Sequence, residues 1–169
     1  MNMIKKYENE VIKRIKLISK YQEKQIVQSA QKFYEVYKSN GIIYLFGTGH
    51  SHMLAEEGNF RAGGFAPICP ILFSGLMLHE GSILSSEVER TEGITTSVLN
   101  NYNIKSNDLL VIFTNSGVNQ APLEAALYAK KLNCFTIGIS SLEYSKIAPR
   151  SNINSMLCDV VNIFIDNYG

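Results

Sequence analysis

Charge of one sign is what this 169-residue chain most lacks: Lys+Arg 16 against Asp+Glu 15 leave a formal +1. Binding to a nucleic-acid backbone needs a clear basic excess, so nucleic acid is not the expected partner. Lys5, Lys6, Lys13, Arg14, Lys16 and Lys20 crowd the N-terminus, but Glu8 and Glu10 interleave with them, as on a solvated helix face. Cysteine is scarce too. Cys69, Cys134 and Cys158 are odd in number and form no CxxC pair. They read as reduced thiols of a cytoplasmic protein, two or more of them filling the core. The first twenty residues hold no signal-peptide core, and no run approaches the ~18 apolar residues of a transmembrane helix. No membrane association is expected. Repeats, low-complexity tracts and linkers are absent as well.

What is present is an ordinary globular composition, 46% hydrophobic and 18% charged, in a length that suits one structural domain. Apolar residues recur at helical spacing over Ile4, Tyr7, Val11, Ile15 and Ile18, then over Ile26, Ala30, Phe33 and Tyr37. The polar stretch from Gln22 to Lys24 divides them, and Ser39-Asn40-Gly41 stops them, with Gly41 expected in a left-handed cap. Residues 1–40 therefore read as a helical segment and 41–169 as the remaining unit. There, "IIYLF" (42–46), "DLLVIFT" (108–114), "CFTIGIS" (134–140) and "VVNIFID" (160–166) read as buried strands. "FAPICPILF" (65–73) carries Pro67 and Pro70, which restrict it to an edge strand or loop. Helical spacing predicts helices over 53–61, 82–102 and 121–132, with Pro122 tolerated in a first turn. Residues 141–150 stay unassigned. Strands alternating with helices predict right-handed βαβ units and a parallel sheet covered on both faces.

Two strands end in similar loops, "GTGHSH" (47–52) and "TNSGVN" (114–119). Gly47, Gly49 and Gly117 allow close approach or positive φ. Thr48, Ser51, Thr114 and Ser116 supply hydroxyls. Each loop runs into a helix whose free N–H groups favour an anion. Neither is a Walker motif or a full GxGxxG. Either alone could be a tight turn with Ser or Asn capping a helix; the pair points to a phosphate. His50 and His52, with His79 or a Glu, have the residue types of a zinc site. Neutral His at a phosphate corner more often hydrogen-bonds substrate or backbone, so no metal and no cofactor are expected.

The motifs "GTGHSHMLAEE", "RAGGFAPICPIL", "GLMLHEG" and "TNSGVNQAPLEA" resemble the sugar isomerase (SIS) domain, and within it the UPF0309 group. The resemblance implies a three-layer, flavodoxin-like α/β fold with strand order 2-1-3-4-5 over residues 41–169. It implies phosphosugar binding and a homodimer or higher homo-oligomer. Ser51 matches the first-loop serine that contacts the phosphosugar in such enzymes. Thr114, Ser116 and Gly117 match the second loop, and Asn119 stands where many relatives have Ser or Thr. Together, the loop reading and the resemblance give the expected substrate-binding set Gly47, Thr48, Gly49, Ser51, His52, Thr114, Asn115, Ser116, Gly117 and Asn119.

Phosphoheptose isomerase and N-acetylmuramic acid 6-phosphate etherase carry a catalytic Glu ten residues beyond the matched serine. Here that position is Arg61, which cannot act as a base at neutral pH. Glu56 and Glu57 follow the first loop about 100° apart on a helix, so at most one faces the site. Glu80 beside His79 is the first choice of base, Glu57 the second, with His79 as partner. The expected activity is aldose–ketose isomerisation of a sugar phosphate. The alternatives are a non-catalytic phosphosugar sensor and, from Glu80, a lyase or etherase. Relatives also continue into a closing helix, whereas "IFIDNYG" stops at Gly169, so a fragment or a shortened member is expected.

Overall fold

Alternation along the predicted strands decides the layering. In the computed structural model, which describes residues 2–169, five parallel strands form one sheet. They are β1 (Ile43–Gly47), β2 (Ile68–Pro70), β3 (Leu109–Phe113), β4 (Phe135–Ser140) and β5 (Ile163–Asp166), in the order β2-β1-β3-β4-β5. The expected 2-1-3-4-5 order is the observed one. Leu45 of β1 pairs with Val111 of β3 on one side and with Pro70 on the other. Pro70 is tolerated because β2 is an edge strand.

Tyr44, Phe46, Leu110 and Ile112 point into one core layer, and Ile43, Leu45, Leu109 and Val111 into the other. The first layer is roofed by α5 (Ile94–Leu99) and α6 (Gln120–Lys131). The small face Ala121, Ala125, Ala126 and Ala129 of α6 lets it sit close to the sheet. The second layer takes Val36 from α2 (Glu23–Lys38) and Ala55 from α3 (His52–Gly58). Cys134 lies in the first layer, its thiol pushed up to about 12 mainly by burial, and Cys69 packs against that layer. α1 (Met3–Tyr21) meets α2 at Gln22, as the polar break predicts, and buries none of its residues.

Several boundaries differ from the sequence reading. Asn40, not Gly41, takes the left-handed conformation after α2 (φ 53°). Gly41 is needed for space, because a Cβ there would lie 2.3 Å from the Asn107 carbonyl oxygen. α3 stops at Gly58, three residues early. The 82–102 stretch is two helices, α4 (Ser82–Arg90) and α5, separated at Gly93 in the left-handed region (φ 83°). The unassigned 141–150 segment holds α7 (Leu142–Ile147), and α8 (Leu157–Val160) precedes β5, which begins only at Ile163. Among the described residues no helix is long and apolar enough to cross a membrane.

Candidate functional site

Because β1 and β3 are neighbours in register, both loops emerge side by side at the carboxyl edge of the sheet, where open α/β sheets bind ligands. The first loop is wound tightly. A Cβ on Gly47 would meet the Ser51 carbonyl oxygen at 2.4 Å, so only glycine fits. Gly49 has φ 55° over open space. Residues Gly49–Ser51 form a 3-10 turn, with the Ser51 N–H donating to the Thr48 carbonyl (3.0 Å). Thr48 is buried, and its hydroxyl donates to Glu89 of α4. Ser51 is half-buried and its side chain makes no capping bond to α3.

The second loop is held from beneath. The Gly117 N–H donates to Thr114 Oγ1 (3.3 Å), and the Ser145 hydroxyl of α7 donates to the Ser116 carbonyl (2.7 Å). The Thr114 hydroxyl is buried under the loop, whereas Asn115 is exposed. Gly117 combines φ 62° with a Cβ position 2.6 Å from Ser140 Oγ. Beside this loop lies a cavity of about 360 Å³ at the N-terminus of α6. Ser116, Asn119, Gln120, Arg90 and Arg150 are among the residues that line it. Asn119, the N-cap of α6, makes no side-chain cap, and the buried Gln120 Oε1 has no partner. Of the predicted binding set, only Ser116 and Asn119 line this cavity. Arg90, Arg150 and Gln120 also line it and were not named from the sequence, because they come from three separate parts of the chain with no shared motif.

A second polar group forms on the other side of the first loop. His52 opens α3 only 2% exposed, with neither ring nitrogen hydrogen-bonded. Its Nδ1 lies 3.2 Å from Glu56 Oε1, inside ion-pair reach but outside hydrogen-bond alignment. His79, on the loop before α4, brings Nε2 to 3.5 Å from the same Glu56 oxygen. Burial lowers the His52 pKa below the usual value, and the Glu56 carboxylate offsets part of that. Glu57 points elsewhere: exposed, it pairs with Arg61 one turn on. Glu80 is exposed and makes no hydrogen bond or ion pair among the described residues. The structure thus joins His79 to Glu56 and brings neither Glu57 nor Glu80 to that group. His50 is exposed while His52 is buried, which separates the HxH pair. Among the described residues no set of three His, Cys, Asp or Glu side chains has metal-holding geometry.

A parallel 2-1-3-4-5 sheet with two glycine and hydroxyl loops at adjacent strand ends defines the class. The chain belongs to the SIS domain family, whose profile matches residues 6–141. More particularly, it is 41% identical over 167 residues to a UPF0309 protein of Geobacillus thermodenitrificans, covering 98% of this chain and 67% of that protein. It is 40% identical over 167 residues to the UPF0309 protein BH0227 of Halalkalibacterium halodurans, again covering 98% of this chain and 67% of that protein. The chain thus spans about two thirds of the length of these relatives. Among solved structures it is similar in fold to phosphoheptose isomerases of Neisseria gonorrhoeae and Francisella tularensis. The first has TM-score 0.71 and 14% identity, over 99% of this chain and 85% of that one. The second has TM-score 0.68 and 16% identity, over 97% and 83%.

Proposed function

We propose that this chain binds a phosphorylated sugar and interconverts its aldose and ketose forms. Membership of the SIS family supports the ligand class, and the cavity at the N-terminus of α6 carries the reading. A phosphate there would meet the helix dipole, the Ser116 hydroxyl and the Asn119 amide, with Arg90 and Arg150 among the other lining residues. Bidentate Arg–phosphate pairs are stronger than neutral contacts, so the phosphate anchors and orients while the sugar reaches toward the first loop. Gly47, Thr48, Gly49 and Thr114 shape the two loops. Ser51, Asn115 and Gly117 lie in them as further candidate contacts, whereas His52, only 2% exposed, is too buried to be one.

Isomerisation needs a base that takes the proton beside a carbonyl and returns it to the neighbouring carbon. The polar group at the first loop supports such a step, although Arg61 occupies the usual Glu position. That substitution favours one second reading, a sensor that binds without turnover. Ser116→Ala separates the loop's two roles. Its hydroxyl accepts only a marginal bond from the Val118 N–H (3.5 Å), so the variant keeps its fold. Affinity for a sugar phosphate, measured by calorimetry, falls by about 10- to 150-fold, the loss of one hydrogen bond to a charged group. Affinity unchanged within twofold contradicts the phosphate assignment. We also infer a homodimer, supported by the uncovered apolar stripe of α1, and a cytoplasmic setting, supported by three free thiols.

A further inference from the structure

Four carboxylates surround the first loop, and their partners sort them. Glu89 accepts from the buried Thr48 hydroxyl and is committed to holding the loop. Glu57 pairs with Arg61 on the outer face of α3. Glu80 stands exposed at the turn before Gly81. Glu56 alone among these has two imidazoles on one oxygen, His52 at 3.2 Å and His79 at 3.5 Å. His52 is the unusual member. A histidine 2% exposed with no hydrogen bond at either nitrogen costs free energy unless it gains one in the working state. Hydrogen bonds at catalytic groups are often misaligned without substrate and tighten with it.

We propose that Glu56 is the proton-carrying carboxylate of this chain, with buried His52 as its positioning residue and His79 as the proton donor to the substrate carbonyl oxygen. The assignment rests on the isomerase reading above. Glu56 is one-third exposed, so one imidazole flank is fixed while the carboxylate stays open to a sugar. In the forward step a Glu56 oxygen takes the proton from the hydroxyl-bearing carbon beside the carbonyl. The C–H electron pair becomes the C=C of an enediol, and the former carbonyl oxygen takes a proton from His79. In the second half Glu56 returns its proton to the former carbonyl carbon. The remaining enediol hydroxyl gives its proton back to His79 and becomes the new carbonyl. No electrons are gained or lost overall. His52, kept neutral by burial, holds the carboxylate in place without competing for the proton.

The test is proton exchange in D₂O by the 169-residue chain with five-, six- and seven-carbon aldose and ketose phosphates, read by proton NMR at the carbons flanking the carbonyl. Wild type incorporates deuterium. Glu56→Gln loses about 10² to 10⁴ in rate, the usual range for a general base, with KM within about threefold. His52→Gln lowers kcat while leaving KM unchanged, the split expected of a positioning residue. If His52→Gln fails to fold, the partly exposed Glu56→Gln still decides. Full exchange by Glu56→Gln, or an equal loss in Glu57→Gln or Glu80→Gln, overturns the assignment and leaves the isomerase reading standing. Binding without exchange in wild type overturns both and favours the sensor.

Discussion

His52 gives the site a titration that can be followed without any substrate. Burial lowers its folded-state pKa below 6.5, so the native protein keeps it neutral where the unfolded chain is already protonated. Between those two values the unfolded state binds more protons, and stability therefore rises with pH. The expected outcome is a thermal midpoint that drops as pH falls below about 6.5. His52→Gln loses that part of the acid-side drop. An acid-side profile identical in wild type and His52→Gln contradicts the buried neutral imidazole. The sequence places His52 in the first loop, but its pairing with Glu56 was not legible. The one-turn spacing from His52 that puts Glu56 rather than Glu57 beside it is visible in the sequence once His52 is known to open α3. His79 joins from a loop 27 positions away from His52, a juxtaposition that local sequence does not show.

Between neighbouring elements, the two loops impose different demands on glycine. Gly49 and Gly117 both have positive φ, yet Gly49 faces open space while Gly117 sits against the hydroxyls of Ser140 and Ser145. Gly49→Ala is therefore expected to cost about 1–2 kcal/mol, the backbone term alone. Gly117→Ala adds overpacking of about 1–3 kcal/mol, because its Cβ would lie 2.6 Å and 2.9 Å from those two oxygens. Chemical denaturation of the two variants checks the order, and a costlier Gly49→Ala would contradict it. The strands were read well because buried apolar runs between turn residues admit few alternatives. Helix ends were read less well. The 82–102 stretch keeps helical spacing through Thr91-Glu92-Gly93, but Glu124 of α6 draws the Gly93 N–H and the Thr96 hydroxyl onto its carboxylate and turns the chain. That partner is invisible to local periodicity.

For the whole molecule, α1 is the element that packing leaves unexplained. Ile4 is 74% exposed, Tyr7 75% and Ile15 57%, along one stripe of a 19-residue helix. Their spacing was legible, but the sequence does not say that the stripe lies off the core. A homodimer that covers it should dissociate when Ile4 and Ile15 are both changed to Glu, with the site intact. Sedimentation at micromolar concentration reads this: a dimer in wild type and a monomer in the double variant support it, and a wild-type monomer contradicts it. The sheet order was legible through the family resemblance, and the pairing of the two loops because a parallel α/β sheet puts loops side by side at strand ends. The cations were not, since Arg90 ends α4 and Arg150 follows α7, far from each other and from the loop in the chain. The central claim is that this cavity takes the phosphate of a sugar phosphate. Calorimetric titration with glucose 6-phosphate and with glucose at matched concentration tests it most directly. The account predicts at least ~10-fold tighter binding of the phosphate form, since charge-assisted contacts exceed neutral ones; equal affinity for the two would contradict it.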